Sequence, residues 1–281
     1  MSKIAVIGIV GNSVFLDVEK FHVGGETVEA KSVHFELGGK GFNQAVAARR
    51  GGAEVSFLAA AGKDSFAQIK AFLENEGIKA CLSEKDEQTA FASIVTDKAG
   101  LNHVTVYQGA QLSRDDVKSF EEEIASADIL LINNEVIEEV NLEAVKIAKE
   151  HGVKIVLNPA PARVTDKFIL DNVDLFTPNE HELLGIEDKT NVLMTAGKRG
   201  CVIKSENITV PAVNVAKVVD TTGAGDTFNG FLCAALAEGK SLTEAAKIAN
   251  LSSSIGVTRK YAVSSIPTKF EIEEFLKCKK D

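Results

Sequence analysis

The residues best suited to chemistry lie at 220–226, where the sequence reads Asp-Thr-Thr-Gly-Ala-Gly-Asp. The apolar run 215–219 precedes this segment, and apolar residues at helical spacing follow it as far as Gly239, so the pattern predicts a buried strand, a glycine turn and a helix. Backbone N–H groups at a helix start lack intrahelical partners and attract anions. Asp226, in the first helical turn, is therefore placed to accept a proton from a hydroxyl that attacks a phosphate. The alternative is an aspartate that only caps the helix.

A second glycine-rich loop precedes another helix. Residues 38–45 read Gly-Gly-Lys-Gly-Phe-Asn-Gln-Ala, and an alanine-rich helix is predicted at 41–50. Glycines at a helix start let the backbone approach a ligand closely. The alternative is a purely structural loop whose helix uses its alanines for close packing.

Composition limits the class of protein. A chain of 281 residues is long enough for one α/β domain, and its net charge of -9 gives no support for a nucleic-acid or anionic-membrane surface. The cysteines are widely spaced and predict neither a disulfide framework nor a zinc site, so we expect a reducing, cytoplasmic location; they are Cys81, Cys201, Cys233 and Cys278. The apolar run at 4–10 is too short to cross a bilayer and is predicted to be the first strand.

The elements that must position these motifs alternate between strand and helix. Strands are predicted at 4–10, 55–60, 129–132, 154–157 and 174–176, and helices at 41–50, 65–76, 114–126, 142–151 and 242–258. This alternation predicts a mostly parallel sheet with helices on both faces. Residues 192–219 are expected to add short antiparallel strands.

Two regions interrupt the alternation, residues 14–36 and 91–107, the second around the turn Asp-Lys-Ala-Gly at 97–100. Both are predicted to form antiparallel strands outside the main sheet. Strands that project beside a ligand crevice are suited to act as a lid, because closure excludes water and completes the site.

Five segments of the chain resemble motifs of the ribokinase-like (PfkB) family of ATP-dependent carbohydrate kinases. They are the two glycine motifs, Asn-Pro-Ala-Pro-Ala at 158–162, Thr-Pro-Asn-Glu-His-Glu at 177–182 and Val-Thr-Arg-Lys at 257–260. The resemblance runs along nearly the whole chain and implies one domain at 1–281. It implies an α/β fold, a ribokinase-like three-layer sandwich with a mostly parallel central sheet, helices on both faces and a small β-strand lid. It further implies ATP and Mg²⁺ as cofactors, a small sugar as substrate, and a homodimer joined through the lid.

The resemblance implies a role for each matching position. Asp226 is the implied catalytic base, and Gly223, Ala224 and Gly225 are the implied anion hole. Asn179 and Glu182 match the element that organises magnesium and the nucleotide phosphates through water, which suits an ion that keeps several waters. The alternative for Glu182 is a surface charge at the start of a helix.

The adenine side is implied to consist of Thr195, Gly197, Gly200 and Asn250. The alternatives here are a hairpin turn for the first three residues and an exposed polar residue for Asn250. Relatives of this type also bind a monovalent cation such as K⁺, and the matching positions are Asp220, Thr222, Gly256, Arg259, Tyr261 and Ser265. Tyr261 replaces a residue that is usually small, which leaves dependence on the cation open.

On the sugar side the implied contacts are Gly39, Lys40, Asn43 and Glu135, with Asp226 at the reacting hydroxyl. Lys40 and Glu135 are charged residues beside apolar segments, which is costly unless they are paired or solvated. Their alternatives are a solvated loop lysine and a residue at a strand end.

The sequence departs from the family after the first strand. Ribokinase normally has an Asn-x-Asp pair there that holds sugar hydroxyls, whereas this chain has Gly11 and Ser13. The loss of a carboxylate that makes charge-assisted hydrogen bonds leaves the acceptor open. Ser13, Asp17 and His22 are the candidates to compensate, although His22 is also expected to face solvent on an edge strand.

Three functions remain in competition. The first is a sugar kinase that phosphorylates a hydroxymethyl group, with a ribose-like sugar favoured. The second is a nucleoside or phosphosugar kinase of the same fold. The third is a non-catalytic sugar- or nucleotide-sensing pseudokinase, suggested by the lost aspartate but opposed by the retention of Asp226, Asn179 and Glu182.

Overall fold

The computed structural model describes residues 2–278, without the side chain of Cys278. Its strands are β1 Lys3–Ile7, β2 Gly11–Val18, β3 Ala30–Gly38, β4 Glu54–Gly62, β5 Lys79–Lys85, β6 Ala90–Thr96, β7 Asn102–Tyr107, β8 Ile129–Asn133, β9 Lys154–Asn158, β10 Leu175–Phe176, β11 Leu193–Thr195, β12 Cys201–Ile203 and β13 Ile208–Val210. Its α-helices are α1 Lys40–Arg50, α2 Phe66–Asn75, α3 Arg114–Ser119, α4 Glu121–Ala125, α5 Glu138–Glu150, α6 Lys167–Asn172, α7 Ala224–Ala237, α8 Leu242–Gly256 and α9 Lys269–Cys278.

The main sheet has six strands within the described residues, in the order β10-β9-β8-β1-β4-β5, and every neighbouring pair is parallel. Its strands are buried on both faces, as parallel strands between two helical layers must be. Along β1, Ile4 and Val6 join the core beneath α1, α7 and α8, while Ala5 and Ile7 join the core beneath α5. The predicted three-layer α/β fold is confirmed.

The lid, defined here as strands β2, β3, β6 and β7, forms a separate four-stranded sheet in the order β3-β2-β6-β7. The prediction of strands outside the main sheet is confirmed, but their pairing is not wholly antiparallel, because β2 and β6 run parallel along the middle of the lid. Residues 14–36 supply the edge strand β3 and the central strand β2, and residues 91–107 supply the central strand β6 and the edge strand β7. Local turn signals indicate pairing only between strands that follow each other in the sequence, so they do not predict the parallel pair β2–β6.

The lid has two unlike faces, since residues directly opposite on paired strands share a face. Its inner face is directed toward the body of the protein and carries Ser13, Phe15, His34, Glu36 and Ile94. Its outer face is apolar and much more exposed, with Phe35 at 71% exposure, and is defined by Val14, Leu16, Val33, Phe35, Phe91 and Tyr107.

Several predicted elements need correction. The single helix expected at 114–126 is broken at Phe120 into α3 and α4, and the helix expected from 142 begins four residues earlier, at Glu138. The short strands expected at 192–219 form their own antiparallel sheet, β11-β12-β13, which touches the main sheet through a parallel bridge between Phe176 and Val192.

Residues 215–219 do not form the predicted buried strand. They are an irregular segment in which Val218 is 56% exposed, and the N–H of Val219 donates to the carbonyl of Val257 at the end of α8. Val215 and Val218 line a cavity beside the start of α7. The apolar character that suggested a strand therefore serves the wall of that cavity.

Close backbone packing places α1 against α7. A Cβ atom on Gly230 of α7 would lie 2.4 Å from the Cβ of Ala47 and 2.6 Å from the carbonyl oxygen of Gln44, both in α1. The alanine-rich helix after the second glycine motif thus has the packing role considered as an alternative. That packing also brings the polar residues at the start of α1 next to the start of α7.

The remaining general expectations concern membranes and cysteines. None of the helices in residues 2–278 is long and apolar enough to cross a membrane. Cys81, Cys201 and Cys233 are buried free thiols, and burial raises their pKa values, which disfavours the reactive thiolate form. The side chain of Cys278 lies outside the described part.

Candidate active site

Asp226 lies in the first turn of α7 and is almost fully buried. Gly223 caps this helix in the left-handed conformation, with a φ of 73°. One carboxylate oxygen of Asp226 accepts a hydrogen bond of 3.0 Å from the amide of Asn43, and the other accepts one of 3.1 Å from the amide of Gln44. The two glycine motifs, far apart in sequence, therefore meet at this carboxylate.

A chain of amides fixes the orientation of the Asp226 carboxylate. The Gln44 amide donates both to Asp226 and, at 3.1 Å, to the side-chain oxygen of Asn158 at the end of β9. Asn158 in turn donates to the carbonyl of Thr177 at 2.9 Å. The motifs that contain Gln44 and Asn158 gave no indication of this role. The available signal was a glutamine inside an otherwise small and apolar stretch of a buried helix.

Three charged groups share this part of the site. Burial raises the pKa of Asp226, and the nearby ammonium of Lys40 opposes that rise. The pKa of Lys40 is itself raised, chiefly by the charge of Asp226. Burial raises the pKa of Glu135 from its ordinary 4.5 to about 7, against the opposing effect of Lys40. The site thus holds two carboxyl groups and one ammonium in a poorly solvated space.

The turn at Gly223–Gly225, here named the anion turn, offers free donors. Among the described residues no hydrogen bond uses the backbone N–H of Gly223, Gly225 or Asp226. A Cβ atom on Gly225 would meet nothing within 4 Å, so open space lies above it. The hydroxyl of Ser253 in α8 donates to the carbonyl of Ala224 at 2.8 Å and fixes the turn from behind. This arrangement is suited to binding a phosphate.

A cavity of about 550 Å³ opens beside the anion turn. Its lining includes Ala224 and Gly225 together with all four residues predicted for the adenine side, Thr195, Gly197, Gly200 and Asn250. It has the size and mostly apolar lining of a small-molecule site. The structure therefore brings the predicted nucleotide residues and the anion turn to one cavity.

The adenine-side residues also have structural roles, as the alternative of a hairpin turn supposed. Gly200 belongs to the connection between β11 and β12, where its φ is 91° and a Cβ would lie only 2.1 Å from the carbonyl oxygen of Val210, so other residues are excluded. The Asn250 amide donates to the carbonyls of Val210 and Pro211 at 2.9 and 3.3 Å. Asn250 is buried, not exposed, and it shapes the cavity wall by holding α8 against the end of β13.

Asn179 and Glu182 lie together in an irregular segment after β10, so Glu182 does not start a helix as the alternative supposed. The Glu182 carboxylate accepts from both the backbone and the side-chain amide of Asn179, at 3.0 and 2.7 Å. In residues 2–278 no group of three or more His, Cys, Asp or Glu side chains could hold a metal. A single half-buried carboxylate fits magnesium bound through water and phosphate oxygens.

The six predicted cation positions lie around the C-terminal end of α8, which is the end next to Asp220. The Asp220 carboxylate accepts from the N–H and hydroxyl of Thr222, at 2.9 and 2.7 Å, and from the N–H of Tyr261 at 2.9 Å. The carbonyl of Gly256 accepts from the N–H of Arg259. Within the described chain, no hydrogen bond is made to the backbone carbonyls of Thr222, Arg259, Tyr261 and Ser265. Spare carbonyl oxygens are the ligands that a hard monovalent cation needs.

The sugar-side residues border the other side of Asp226. Gly39 has a φ of 110°, and a Cβ there would lie 2.3 Å from the carbonyl oxygen of Ile9, so only glycine fits. The N–H of Lys40 donates to the Glu135 carboxylate at 2.7 Å. Asn43 keeps a buried side-chain oxygen without a hydrogen-bond partner among the described residues. An unpaired buried acceptor beside the candidate base is suited to a substrate hydroxyl.

The departure after β1 has a structural explanation at one position. A Cβ on Gly11 would lie 2.5 Å from the carbonyl oxygen of Ala90, so strand β6 leaves no space there for a longer side chain. Ser13 is buried on the inner face of the lid, and its hydroxyl makes no hydrogen bond within residues 2–278. Asp17 is occupied by Ser32 and Lys260, and His22 is exposed in the loop after β2. Ser13 alone of these candidates stays available to a substrate.

Comparison with known proteins agrees with this geometry. The model of the pfkB family of carbohydrate kinases matches residues 1–269. The ribokinase of Haemophilus influenzae is 37% identical over 301 aligned positions, covering 97% of this chain and 98% of that protein.

Solved structures are similar over the full length. Ribokinase from Thermotoga maritima superposes with a TM-score of 0.87 at 33% identity, covering 99% of this chain and 100% of that one. Arabidopsis thaliana ribokinase, solved with ribose and ATP, superposes with a TM-score of 0.85 at 27% identity, covering 99% of both chains. With the buried carboxylate, the anion turn and the adjoining cavity in place, the chain belongs to the pfkB family of carbohydrate kinases.

Proposed function

We propose that this protein transfers the γ-phosphoryl group of ATP to the primary hydroxyl of D-ribose or a closely similar pentose. The observation that carries the proposal is the position of Asp226 between two half-sites. On one side lie the anion turn and the cavity, and on the other lie Lys40, Asn43 and Glu135. A hydroxyl held on the second side can lose its proton to Asp226 while it attacks a phosphate held on the first.

Individual roles follow from the contacts. Asp226 accepts the proton, and the free N–H groups of Gly223 and Gly225 stabilise the charge on the phosphoryl group. Asn43 orients Asp226 and offers its spare oxygen to the sugar. Thr195, Gly197, Gly200 and Asn250 shape the adenine side of the cavity. Gly39, Lys40, Glu135 and Ser13 enclose the sugar.

Cations complete the proposal. Glu182, held by Asn179, binds Mg²⁺ through water, and the ion supplies positive charge beside the nucleotide phosphates. The spare carbonyls around Asp220 bind a monovalent cation such as K⁺. Omission of Mg²⁺ is expected to abolish turnover, and replacement of K⁺ by a large organic cation to reduce it. Equal rates without either ion would contradict these assignments.

The test of the acceptor is a panel of candidate substrates. Release of ADP from ATP is measured with D-ribose, 2-deoxy-D-ribose, D-fructose, a phosphorylated sugar and inosine, and the phosphorylated product is identified by mass spectrometry. We expect D-ribose to give the highest kcat/KM and a 5-phosphate product. Preference for inosine would establish the nucleoside-kinase alternative, and a blank across the panel would favour a sensing pseudokinase.

We also propose that the chain works as a single domain and pairs through its lid in a cytoplasmic homodimer. The outer face of the lid supports this, because exposed apolar patches of this kind mark contact surfaces. Phe35 is the most exposed aromatic residue of this face, so it is the residue to substitute. Phe35→Asp is expected to convert a dimer to a monomer in sedimentation velocity. A wild-type protein that sediments as a monomer at micromolar concentration would refute the pairing.

A further inference from the structure

Tyr261 adopts a backbone conformation that L-residues with side chains disfavour. Its φ is 73°, and among residues 2–278 the only other non-glycine with a positive φ is Asn207, at 53°. Asparagine tolerates this region through local hydrogen bonds, whereas an aromatic residue there needs compensation from its surroundings. The contacts of Tyr261 show what that compensation is.

The side chain of Tyr261 is held by the inner face of the lid. Its ring stacks on His34 of β3 with centroids 3.7 Å apart and planes 9° apart. It also makes an edge-to-face contact with Phe15 of β2, with ring centroids 5.2 Å apart and ring planes at 61°. One side chain from the body of the protein therefore contacts both lid strands that border the sugar side, including the strand that carries Ser13.

Neighbouring residues strengthen the same connection. The Glu36 carboxylate on β3 accepts hydrogen bonds from the N–H groups of Ala262, Val263 and Ser264 and from the Ser264 hydroxyl. Residues 261–264 are thus held against the lid by ring contacts and by hydrogen bonds. Hydrogen bonds to a charged acceptor are the stronger kind.

The backbone of the same segment is tied to the anion turn. The N–H of Tyr261 donates to one Asp220 carboxylate oxygen, and the other accepts from the N–H and hydroxyl of Thr222, which directly precedes Gly223. Ala262 also lies against Gly223, where a Cβ would be 3.2 Å from the Cα of Ala262. A continuous set of contacts therefore runs from the lid through Tyr261 and Asp220 to the phosphate-binding turn.

We propose that Tyr261 is a positioning residue that couples acceptor binding to phosphate binding. Its ring contacts β2 and β3, and its N–H donates to Asp220. When the lid encloses an acceptor, these contacts therefore also order the anion turn. The inference rests on the proposed function for the identity of the acceptor, but the contacts themselves do not depend on it.

The test uses Tyr261→Gly. Glycine favours a positive φ, so this variant keeps the backbone conformation, the N–H to Asp220 and the carbonyl while it removes only the ring. Asn207→Gly is the matched control, because it relaxes the other positive-φ residue, which lies in the exposed turn between β12 and β13. Tyr261→Phe keeps a ring able to stack and serves as the rescue.

The first readout is the coupling between ligands, measured as the ratio of ADP dissociation constants without and with saturating D-ribose. We expect a ratio of about fivefold or more in the wild type, which is a common size for coupling between two sites. Tyr261→Gly should bring the ratio below about twofold, and Tyr261→Phe should restore it, since stacking is the feature that counts. A purely structural role would change the unfolding temperature and leave the ratio intact. Provided that D-ribose binds, a wild-type ratio near one, or an unchanged ratio in Tyr261→Gly, would overturn the proposal.

The second readout needs no acceptor and separates this inference from the proposed function. Backbone hydrogen exchange is compared without ligands at the N–H groups of Asp220, Thr222 and Ala224, which are hydrogen-bonded at the anion turn. Loss of the ring should accelerate exchange there by about tenfold, as expected when a local contact that restrains opening is lost, while Asn207→Gly should leave it unchanged. Failure of D-ribose to bind would refute only the acceptor. Unchanged exchange in Tyr261→Gly would refute the coupling.

Discussion

In the proposed function the site has a nucleotide side, formed by the anion turn and the adjoining cavity, and an acceptor side, formed by Ser13, Lys40, Asn43 and Glu135, and the two present different chemical groups. The nucleotide side presents backbone N–H groups at the start of α7, and α1 and α8 pack closely against that helix. The acceptor side presents side chains, several of them charged, beneath a lid whose outer face is open to solvent.

This difference bears on how each side can change. Backbone donors held by core packing cannot be altered without disturbing the fold, whereas a side chain on a separate sheet can be exchanged at little cost. Under the proposed function, the core thus sets the chemistry of phosphoryl transfer, and Ser13 on the lid together with Glu135 after β8 influences the choice of acceptor.

The largest expected effect comes from the carboxylate where the two sides meet. Asp226→Asn keeps the size of the side chain but removes the base, so kcat with D-ribose should fall by about 10²–10⁴-fold, the range for loss of a general base. Binding of ADP, measured by calorimetry, should change little because the cavity is intact. A kcat near the wild-type value would refute the role of Asp226.

The second effect tests the nucleotide side alone. Gly225→Ala adds a methyl group where a Cβ meets no protein atom, so the fold should survive, but the methyl enters the space above the anion turn. We expect kcat/KM for ATP to fall on the order of 100-fold, similar to the loss of an anion-hole donor. Gly24→Ala is the control, since its Cβ also meets nothing but lies in the lid loop. Equal, small effects from both variants would mean that no phosphate approaches Gly225.

The third effect tests the cost of charge on the acceptor side. Because the pKa of Glu135 rises from 4.5 to about 7 on folding, its carboxyl group favours the folded state below pH 4.5, and this contribution is lost as the pH rises to 7. Across that window the free energy of unfolding of the wild type, relative to that of Glu135→Gln, should fall on the order of 2 kcal/mol. This is less than about 1.4 kcal/mol for each unit of pKa shift, because the side chain is partly exposed to solvent. Urea unfolding at several pH values measures it, and a difference independent of pH would contradict the raised pKa.

The smallest effect concerns a single hydroxyl on the lid. Ser13→Ala removes one neutral hydrogen bond to the sugar, so KM for D-ribose should rise about two- to tenfold while KM for ATP stays constant. Ser93→Ala on the opposite face of the same sheet is the control. An unchanged KM for D-ribose would show that Ser13 does not touch the acceptor.

The sequence was most informative where one short segment defines a local geometry. The segment 220–226 predicts a helix start with a carboxylate in its first turn, and α7 begins at Ala224 with Gly223 in the left-handed conformation. The alternating apolar runs likewise predict the parallel sheet, because strands buried on both faces leave a continuous apolar signature.

The sequence was least informative where distant segments decide the outcome. The parallel pairing of β2 with β6 and the supporting role of Gln44 depend on contacts made only in the folded chain. The apolar run 215–219 misled because a cavity wall and a buried strand require the same residue types. The ring contacts of Tyr261 could not be foreseen either, since His34 and Phe15 lie more than 200 residues earlier.

The hydrogen bond between Asn43 and Asp226 joins residues 183 positions apart. During synthesis the glycine loop at 38–45 therefore emerges long before Asp226 has been made. Closure of so long a segment of chain is slow and costs entropy that only the later packing of α7 on α1 returns. A growing polypeptide thus cannot bring Asn43 and Asp226 together until most of the protein has been made, so under the proposed function it cannot transfer phosphate in a half-folded state.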